Sequence, residues 1–441
     1  MTECTPQIEL FSTGRRMVTF RFDGEQISSN AGVLLASEVE RKLGLIERMA
    51  EALSDLRDSR YVRHDLKSQM RQRVLQIAAG YADANDSTSL RYEPALQTAM
   101  KRIPGEKESV LASQPTMSRF EQRSPRENAR MGRLLIDVWV DEIAASGQQS
   151  VTLDFDTTDD PTHGAQQLAF FHPHYDATIY HPLLVFDGHG FPIVAMLRPG
   201  NAHGGRAAIS TLRLIIKRLR RKCPNVAVLV RADAGFAMPE MYTTCEKLGL
   251  TYLIAQTVHS KYKTMTEALV ARAKKLLEEG NESVTLYDEY VYQAKTWRRS
   301  RRVIAKAECS STHTHVRYVV TNIVSGTPEE IYKKYSGRGQ AENHIKDLKN
   351  AMFADRLSCS DFWANQFRLL LHTAAYVILH VLRRELDDTS LKGIQLDTLR
   401  GTLVKVGAAI TVTARRIWVR LSSADPSVAI FNYVARRLAS T

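Results

Sequence analysis

Residues 151–156 read Val-Thr-Leu-Asp-Phe-Asp, and their alternation decides how the rest of the chain is read. In an extended segment Val151, Leu153 and Phe155 fall on one face and Thr152, Asp154 and Asp156 on the other, the two-residue period of a half-buried strand. Two carboxylates therefore share a face near the strand's end. Outward from there, strand-like runs at 167–171, 180–186 and 193–197, separated by turn signals at Asp187-Gly188 and Gly190, predict an antiparallel three-stranded meander. The Gly-rich loop 199–205 then leads into a helix with Leu212, Ile215, Ile216 and Leu219 on one face. A strand at 226–232 leaves Asp233 at its tip, where Gly235 permits a sharp turn into a helix beginning near Pro239. A shorter strand follows at 252–255.

Between 258 and 316 this rhythm is lost, and a helix around 268–279 with strands at 283–292 and 297–306 reads as an insertion. The rhythm resumes with a strand at 318–323. Thr327-Pro328-Glu329-Glu330 then supplies an N-cap, a proline at the first helical position and a glutamate at the third, a capping-box start for a helix. Upstream of 145 the chain reads as mostly helical after a strand at 18–22. The stretch 60–91 there sets Arg60, Arg63, Lys67, Arg71 and Arg73 beside Val74, Leu75, Ile77 and Ala78, a basic face over an apolar one. Singly, such residues are solvated surface; as a set they favour contact with DNA.

The whole sequence sets the frame for these segments. Its 441 residues leave room for roughly three domains. Lys and Arg outnumber Asp and Glu by 60 to 48, a formal net charge of +12 that favours a polyanionic partner, nucleic acid first. Five cysteines (Cys4, Cys223, Cys245, Cys309, Cys359) lie far apart without a CxxC pair, which argues against a zinc finger or a disulfide framework and fits a reducing cytoplasm. The N-terminus lacks the apolar core of a secretory signal, and the apolar stretch 367–382, interrupted by Arg368, His372 and His380, reads as a buried helix rather than a membrane span.

The most specific feature is Tyr335-Ser-Gly-Arg338-Gly-Gln-Ala-Glu342-Asn-His-Ile-Lys-Asp-Leu-Lys349. Offsets of three, four and seven place Tyr335, Arg338, Glu342 and Lys349 along one helical face. A surface ion pair would also account for Arg338 beside Glu342. Gly337 and Gly339 speak against a purely structural helix, since each costs about 1 kcal/mol relative to alanine. Weaker signals compete. His163, His172, His174 and His181 invite a zinc reading but lack helical His-x3-His spacing, and loop or sheet histidines are the plainer account. Gly188-x-Gly190 and Gly337-x-Gly339 lack the third glycine of a dinucleotide site, and there is no Walker A sequence. Trp297-Arg298-Arg299-Ser-Arg301-Arg302 suits either a charge-protected edge strand or a DNA groove.

Tyr-x2-Arg-x3-Glu-x6-Lys, placed after the strand-tip acids of Leu153-Asp-Phe-Asp-Thr-Thr and Val230-Arg-Ala-Asp-Ala-Gly-Phe, resembles the signature of bacterial insertion-sequence transposases of the DDE type. The closer resemblance is to insertion-sequence family 1380, and it extends to Gly80-Tyr-Ala-Asp-Ala-Asn-Asp, Thr162-His-Gly-Ala-Gln and Leu197-Arg-Pro-Gly-Asn. The resemblance implies an α/β protein: an RNase H-like catalytic core with a mainly β insertion, flanked by a largely helical N-terminal DNA-binding region and a small C-terminal region. On this sequence the segments are 1–145, 146–257, 258–316, 317–385 and 386–441.

The implied chemistry is cleavage at transposon ends with Mg²⁺, for which Mn²⁺ can substitute, followed by transfer of the freed 3′-hydroxyl strands into target DNA. Two hard cations would activate the nucleophile and neutralise the leaving alkoxide, and hard cations want carboxylate oxygens. Asp156, Asp233 and Glu342 are the implied ligands and catalytic acids. Asp156 is preferred because Asp156-Thr-Thr matches the family's Asp-x-Thr, with Asp154 as the alternative. Arg338 and Lys349 would hold phosphates and Tyr335 would stack or hydrogen-bond near the scissile strand, with Trp297, Arg298, Arg299, Arg301 and Arg302 as further DNA contacts. The expected partners are double-stranded terminal inverted repeats, target DNA and a second copy of the chain on paired ends, in a bacterial cytoplasm at the nucleoid, with no membrane. A nuclease that cleaves without joining strands, or a catalytically silent DNA-binding regulator derived from a transposase, are the rival readings.

Overall fold

Ser150–Thr157 forms the expected strand, with Val151, Leu153 and Phe155 buried on its core side. The computed structural model to which it belongs describes residues 8–21 and 23–440; Cys4 and Phe22, the end of the expected strand 18–22, lie outside them. The described chain is a mixture of helix and sheet and divides into two compact units, one of Ala52–Ser54 and Glu121–Thr373 and the other of the remaining segments.

The larger unit is built on an eight-stranded mixed sheet. Its order is Pro192–Met196, Leu183–Asp187, Ser150–Thr157, Ala227–Ala232, Thr251–Gln256, Thr314–Thr321, Arg301–Ser310 and Ser283–Tyr292. The first three strands form an antiparallel meander, Ser150–Thr157 runs parallel to Ala227–Ala232 and Thr251–Gln256, and the last three are antiparallel again. Helix Pro125–Ser146 starts on a capping box between Ser124 and Glu127 and ends at Gly147. It lies against Pro192–Met196 and the helix Ala208–Lys222, and its buried Trp139 donates an indole N–H to Asp187 at 3.1 Å.

One expectation needs correction here. Residues 167–171 do not join the meander: Phe170–His172 pairs with Ala177–Tyr180, which pairs on its other side with Asp160–Pro161, in a separate three-stranded sheet. Period two reports a strand but not which sheet it enters. The strand expected at 318–323 is found at Thr314–Thr321, where it pairs with Arg301–Ser310. It also pairs antiparallel with Thr251–Gln256, so residues 283–321 prolong the central sheet.

The other unit joins the two ends of the described chain. Gln26–Ser28 pairs with Ala408–Val412, which pairs with Ile417–Leu421. Helices Val33–Leu43, Leu66–Ala78 and Pro94–Ala99 belong to the same unit. Of the basic stripe expected over 60–91, Arg71 and Arg73 are taken up inside it, while Arg60, Arg63 and Lys67 are exposed. Arg73 is fully buried and donates to the carbonyls of Tyr81 and Ala82, Arg71 pairs with the buried Glu40, and Arg60 pairs with Asp58. Tyr81 of the Gly80-Tyr-Ala-Asp motif donates to Asn30 at 3.2 Å, and the Lys405 ammonium lies 3.9 Å from its ring centre. The helix Phe362–Arg384 contains the apolar stretch 367–382, and no helix among the described residues is long and apolar enough to cross a membrane.

Candidate active site

Register brings the first two acids together. Ala232 pairs with Phe155 across parallel strands, so Asp233, just past the end of its strand, stands beside Asp156, which is still paired with Leu184 on the other side. Asp233 caps the turn Ala234–Phe236, its carboxylate accepting the Gly235 N–H at 2.8 Å. Glu342 comes from a third element, the first turn of helix Gly339–Lys346, and is exposed. Arg338 ties these parts together: Nη1 donates to Asp156 Oδ2 at 2.7 Å and Nη2 to Glu342 Oε1 at 3.0 Å. Burial pushes the Asp156 carboxyl up to about 6; Arg338 opposes the rise, while Asp233 and Glu342 add to it. One guanidinium thus spans two of three mutually repelling carboxylates.

The single helical stripe expected from Tyr335 to Lys349 is broken in two. Thr327 and Glu330 form the expected capping box, but their helix ends at Ser336 and a new one begins at Gly339. In the turn between them the N–H of Arg338 bonds the Tyr335 carbonyl three residues back. Tyr335 remains beside Arg338: burial raises its hydroxyl and the guanidinium opposes this. Lys349 falls in a wider turn, Asp347–Ala351. Its ammonium donates to the carbonyl and carboxylate of Asp159 at 2.9 and 3.1 Å, holding the loop that follows the Asp156 strand.

Asp154 shares a face with Asp156 but has another partner. Arg231, its register partner on the next strand, grips it with two hydrogen bonds of 2.6 and 2.7 Å and spends Nη1 on the Lys334 carbonyl at 2.9 Å. Burial raises the Asp154 carboxyl against the pull of Arg231. The pair fastens the sheet to the end of the helix before Arg338. Gly337 is what permits this, because a Cβ there would overlap the Arg231 guanidinium. On the other side Gly190, at φ +91°, lies where a Cβ would enter the His344 ring, two residues from Glu342. Neither Arg231 nor the pairing of Gly190 with His344 is readable from spacing, since each depends on elements distant in sequence.

The expected DNA contacts at 297–302 are not brought to the three acids. Trp297 is buried against Tyr242 and Tyr292, and the buried Arg301 lies over the rings of Tyr242 and Trp297 while pairing with Glu246 at 2.9 Å. Arg299 also reaches Glu246, and Arg302 binds Glu289 and the carbonyls of Ile323 and Gly326. Arg298 is exposed. His172, His174 and His181 cluster with Tyr175 at ring separations of 4.8–6.4 Å. Among the described residues no group of three or more His, Cys, Asp or Glu side chains is spaced to hold a metal ion.

Comparison with known proteins places the chain in a family. No curated protein matches the chain. Among solved structures it is similar to a cryo-EM structure of the piggyBac transposase synaptic complex with hairpin DNA, at 10% identity and a TM-score of 0.40, covering 84% of this chain and 80% of that one. It is also similar to two Mos1 structures, a pre-cleavage transpososome and a paired-end complex with the left transposon end. Those match at 12% and 13% identity, each with a TM-score of 0.17, covering 52% of this chain and 74% of the other. The family model for the transposase DDE domain, group 1, matches residues 11–441. This chain is therefore a member of the group 1 DDE transposase family.

Proposed function

We propose that the chain is a DNA transposase with an RNase H-like core, most similar to insertion-sequence family 1380. In this reading it binds terminal inverted repeats as a dimer on paired ends, cleaves phosphodiester bonds there and transfers the 3′-hydroxyl strands into target DNA. The observation that carries the reading is that Arg338 joins Asp156 to Glu342 from a different element, with Asp233 beside Asp156 by strand register. The strand order Pro192–Met196, Leu183–Asp187, Ser150–Thr157, Ala227–Ala232, Thr251–Gln256, antiparallel then parallel, supports the core assignment.

Divalent metal is implied by the family, and the donor set is tested by its chemistry. Three carboxylates on separate elements are hard oxygen ligands of the kind Mg²⁺ takes. Two of them are at present spanned by a guanidinium, a cation held where positive charge is wanted. The donors therefore fit in kind, and Asp156, Asp233 and Glu342 would hold the metal, which when bound supplies charge neutralisation at the attacking and leaving oxygens. Beside it, Arg338, which bonds Asp156 and Glu342, would hold a phosphate. Tyr335 orients that guanidinium, and Lys349 holds the 158–160 loop that flanks the scissile strand. Arg231 and Asp154 keep the helix ahead of Arg338 fixed to the sheet. Of the basic run at 297–302, Arg298 and Arg299 are outward enough to meet a DNA backbone, while Trp297, Arg301 and Arg302 shape the strand that presents them.

The deciding experiment uses the purified chain on duplexes carrying the inverted repeats that flank its own coding sequence, with Mg²⁺. Cleavage at the repeat end and joining of pre-cut ends to a target plasmid are expected, both lost in Glu342→Gln with end binding retained. Cleavage without joining would make the chain a nuclease, and binding without either would make it a silent regulator.

A further inference from the structure

The segment between the Asp156 strand and its meander partner carries an unusual surface. Phe170–His172 and Ala177–Tyr180 form a short hairpin whose turn holds His174 and Tyr175, and Leu168, Phe170, Phe171 and Tyr175 expose 40%, 40%, 58% and 36% of their surface. Four large apolar side chains on one small hairpin are more than scattered surface hydrophobics explain. The base of the hairpin is firmly held. Tyr180 is buried and donates to the Gln167 carbonyl at 2.8 Å, and Gln166 reaches the Leu357 carbonyl and Asn365. Its tip is rigid through its rings: Tyr175 packs 4.8 Å from His174 and 5.1 Å from His172, and His172 lies 5.4 Å from the buried His181.

The hairpin adjoins the acids. The loop from Leu197 to Gly205 links them, since a Cβ on Gly200 would strike the carbonyls of Ile179 and Phe170, while Gly204 lies against the backbone of Gly235 beside Asp233. Burial raises the Tyr175 hydroxyl, and Asp159, Asp156 and Asp233 raise it further, which places the phenol within their field.

We infer that this hairpin is a stacking platform on which Tyr175, backed by His174, receives an unpaired nucleobase of the DNA strand next to the scissile phosphate. The inference rests on the function proposed above and adds a substrate contact to it. An aromatic face binds any base, and its place beside carboxylates that repel phosphate favours a base, the uncharged part of the strand. Phe170 and Phe171 extend the apolar surface for the neighbouring nucleotide.

The test uses the full chain without added divalent metal and two probes built on the flanking repeat: a fully paired duplex, and a fork whose unpaired arm carries 2-aminopurine. Binding of the fork should quench the arm's fluorescence. Tyr175→Ala and Tyr175→Leu should abolish the quenching and weaken fork binding about tenfold, the order contributed by stacking one base, with duplex affinity unchanged. Tyr175→Phe should keep both. Wild-type quenching and fork affinity in Tyr175→Ala and Tyr175→Leu would overturn the proposal and leave the transposase reading standing. So would loss of an oligomer on light scattering with fork affinity intact, which would give the patch to a second copy of the chain. Failure of the wild-type chain to bind either probe would instead remove the transposase reading, and this inference with it.

Discussion

Replacing Asp154 with Asn removes one partner of a buried ion pair and leaves the Arg231 charge without compensation, which should cost about 3–5 kcal/mol of stability in urea unfolding. Asp156→Asn should abolish cleavage with a much smaller stability loss, because Arg338 keeps Glu342. The two acids occupy one face of one strand, and period two could not separate them; the register that pairs Asp154 with Arg231 does. Asp156 also carries a pH signature. In the folded chain it holds its proton up to about 6, whereas an exposed aspartate releases it near 4. Folding therefore takes up a proton in that window, and the stability this group contributes is full below about 4 and lost as pH rises through 6. The melting temperature of wild type relative to Asp156→Asn should fall across that interval and level off above it.

Among the elements, the helix that bears Glu342 depends on two glycines for its position. Gly190→Ala puts a side chain into the left-handed region and into the His344 ring, and should lower stability by about 1–3 kcal/mol, as such backbone strain does, and slow cleavage. Adding His344→Ala should recover part of the melting temperature but not all, since the backbone strain stays. Much of this layer was legible. The strand around Asp154 and Asp156 and the capping box at Thr327 and Glu330 follow from local rules and are found where those rules put them. The turn at Gly337-Arg338 was not, because helical spacing continues through it while the hydrogen bonds shorten from four residues to three. The small sheet of 160–180 was misplaced for a related reason: strand propensity is local, whereas choice of sheet is settled by distant partners such as Asn365 and Leu357.

For the molecule as a whole, the smaller unit is closed by its two ends. Gln26–Ser28 has Ala408–Val412 as its sheet partner, and the N–H groups of Ala31 and Gly32 bond to Val406 and Val404. A fragment of residues 1–145 should therefore lack protected amides over 26–43 in hydrogen exchange, and supplying residues 374–441 in trans should restore protection. Recognition of the repeat, proposed for the N-terminal region, is best sought with both segments present. The pairing of Gln26–Ser28 with Ala408–Val412 was not legible, because nothing in a short strand pattern names a partner nearly four hundred residues away. In the larger unit, hydrogen bonds run without interruption from Ser150–Thr157 to Ser283–Tyr292 through four intervening strands. A plate so bonded has no hinge in it. Five strand spacings make roughly 24 Å, the rise of about seven base pairs. A duplex laid across the plate would be gauged by a fixed ruler between Ser150–Thr157 and Ser283–Tyr292.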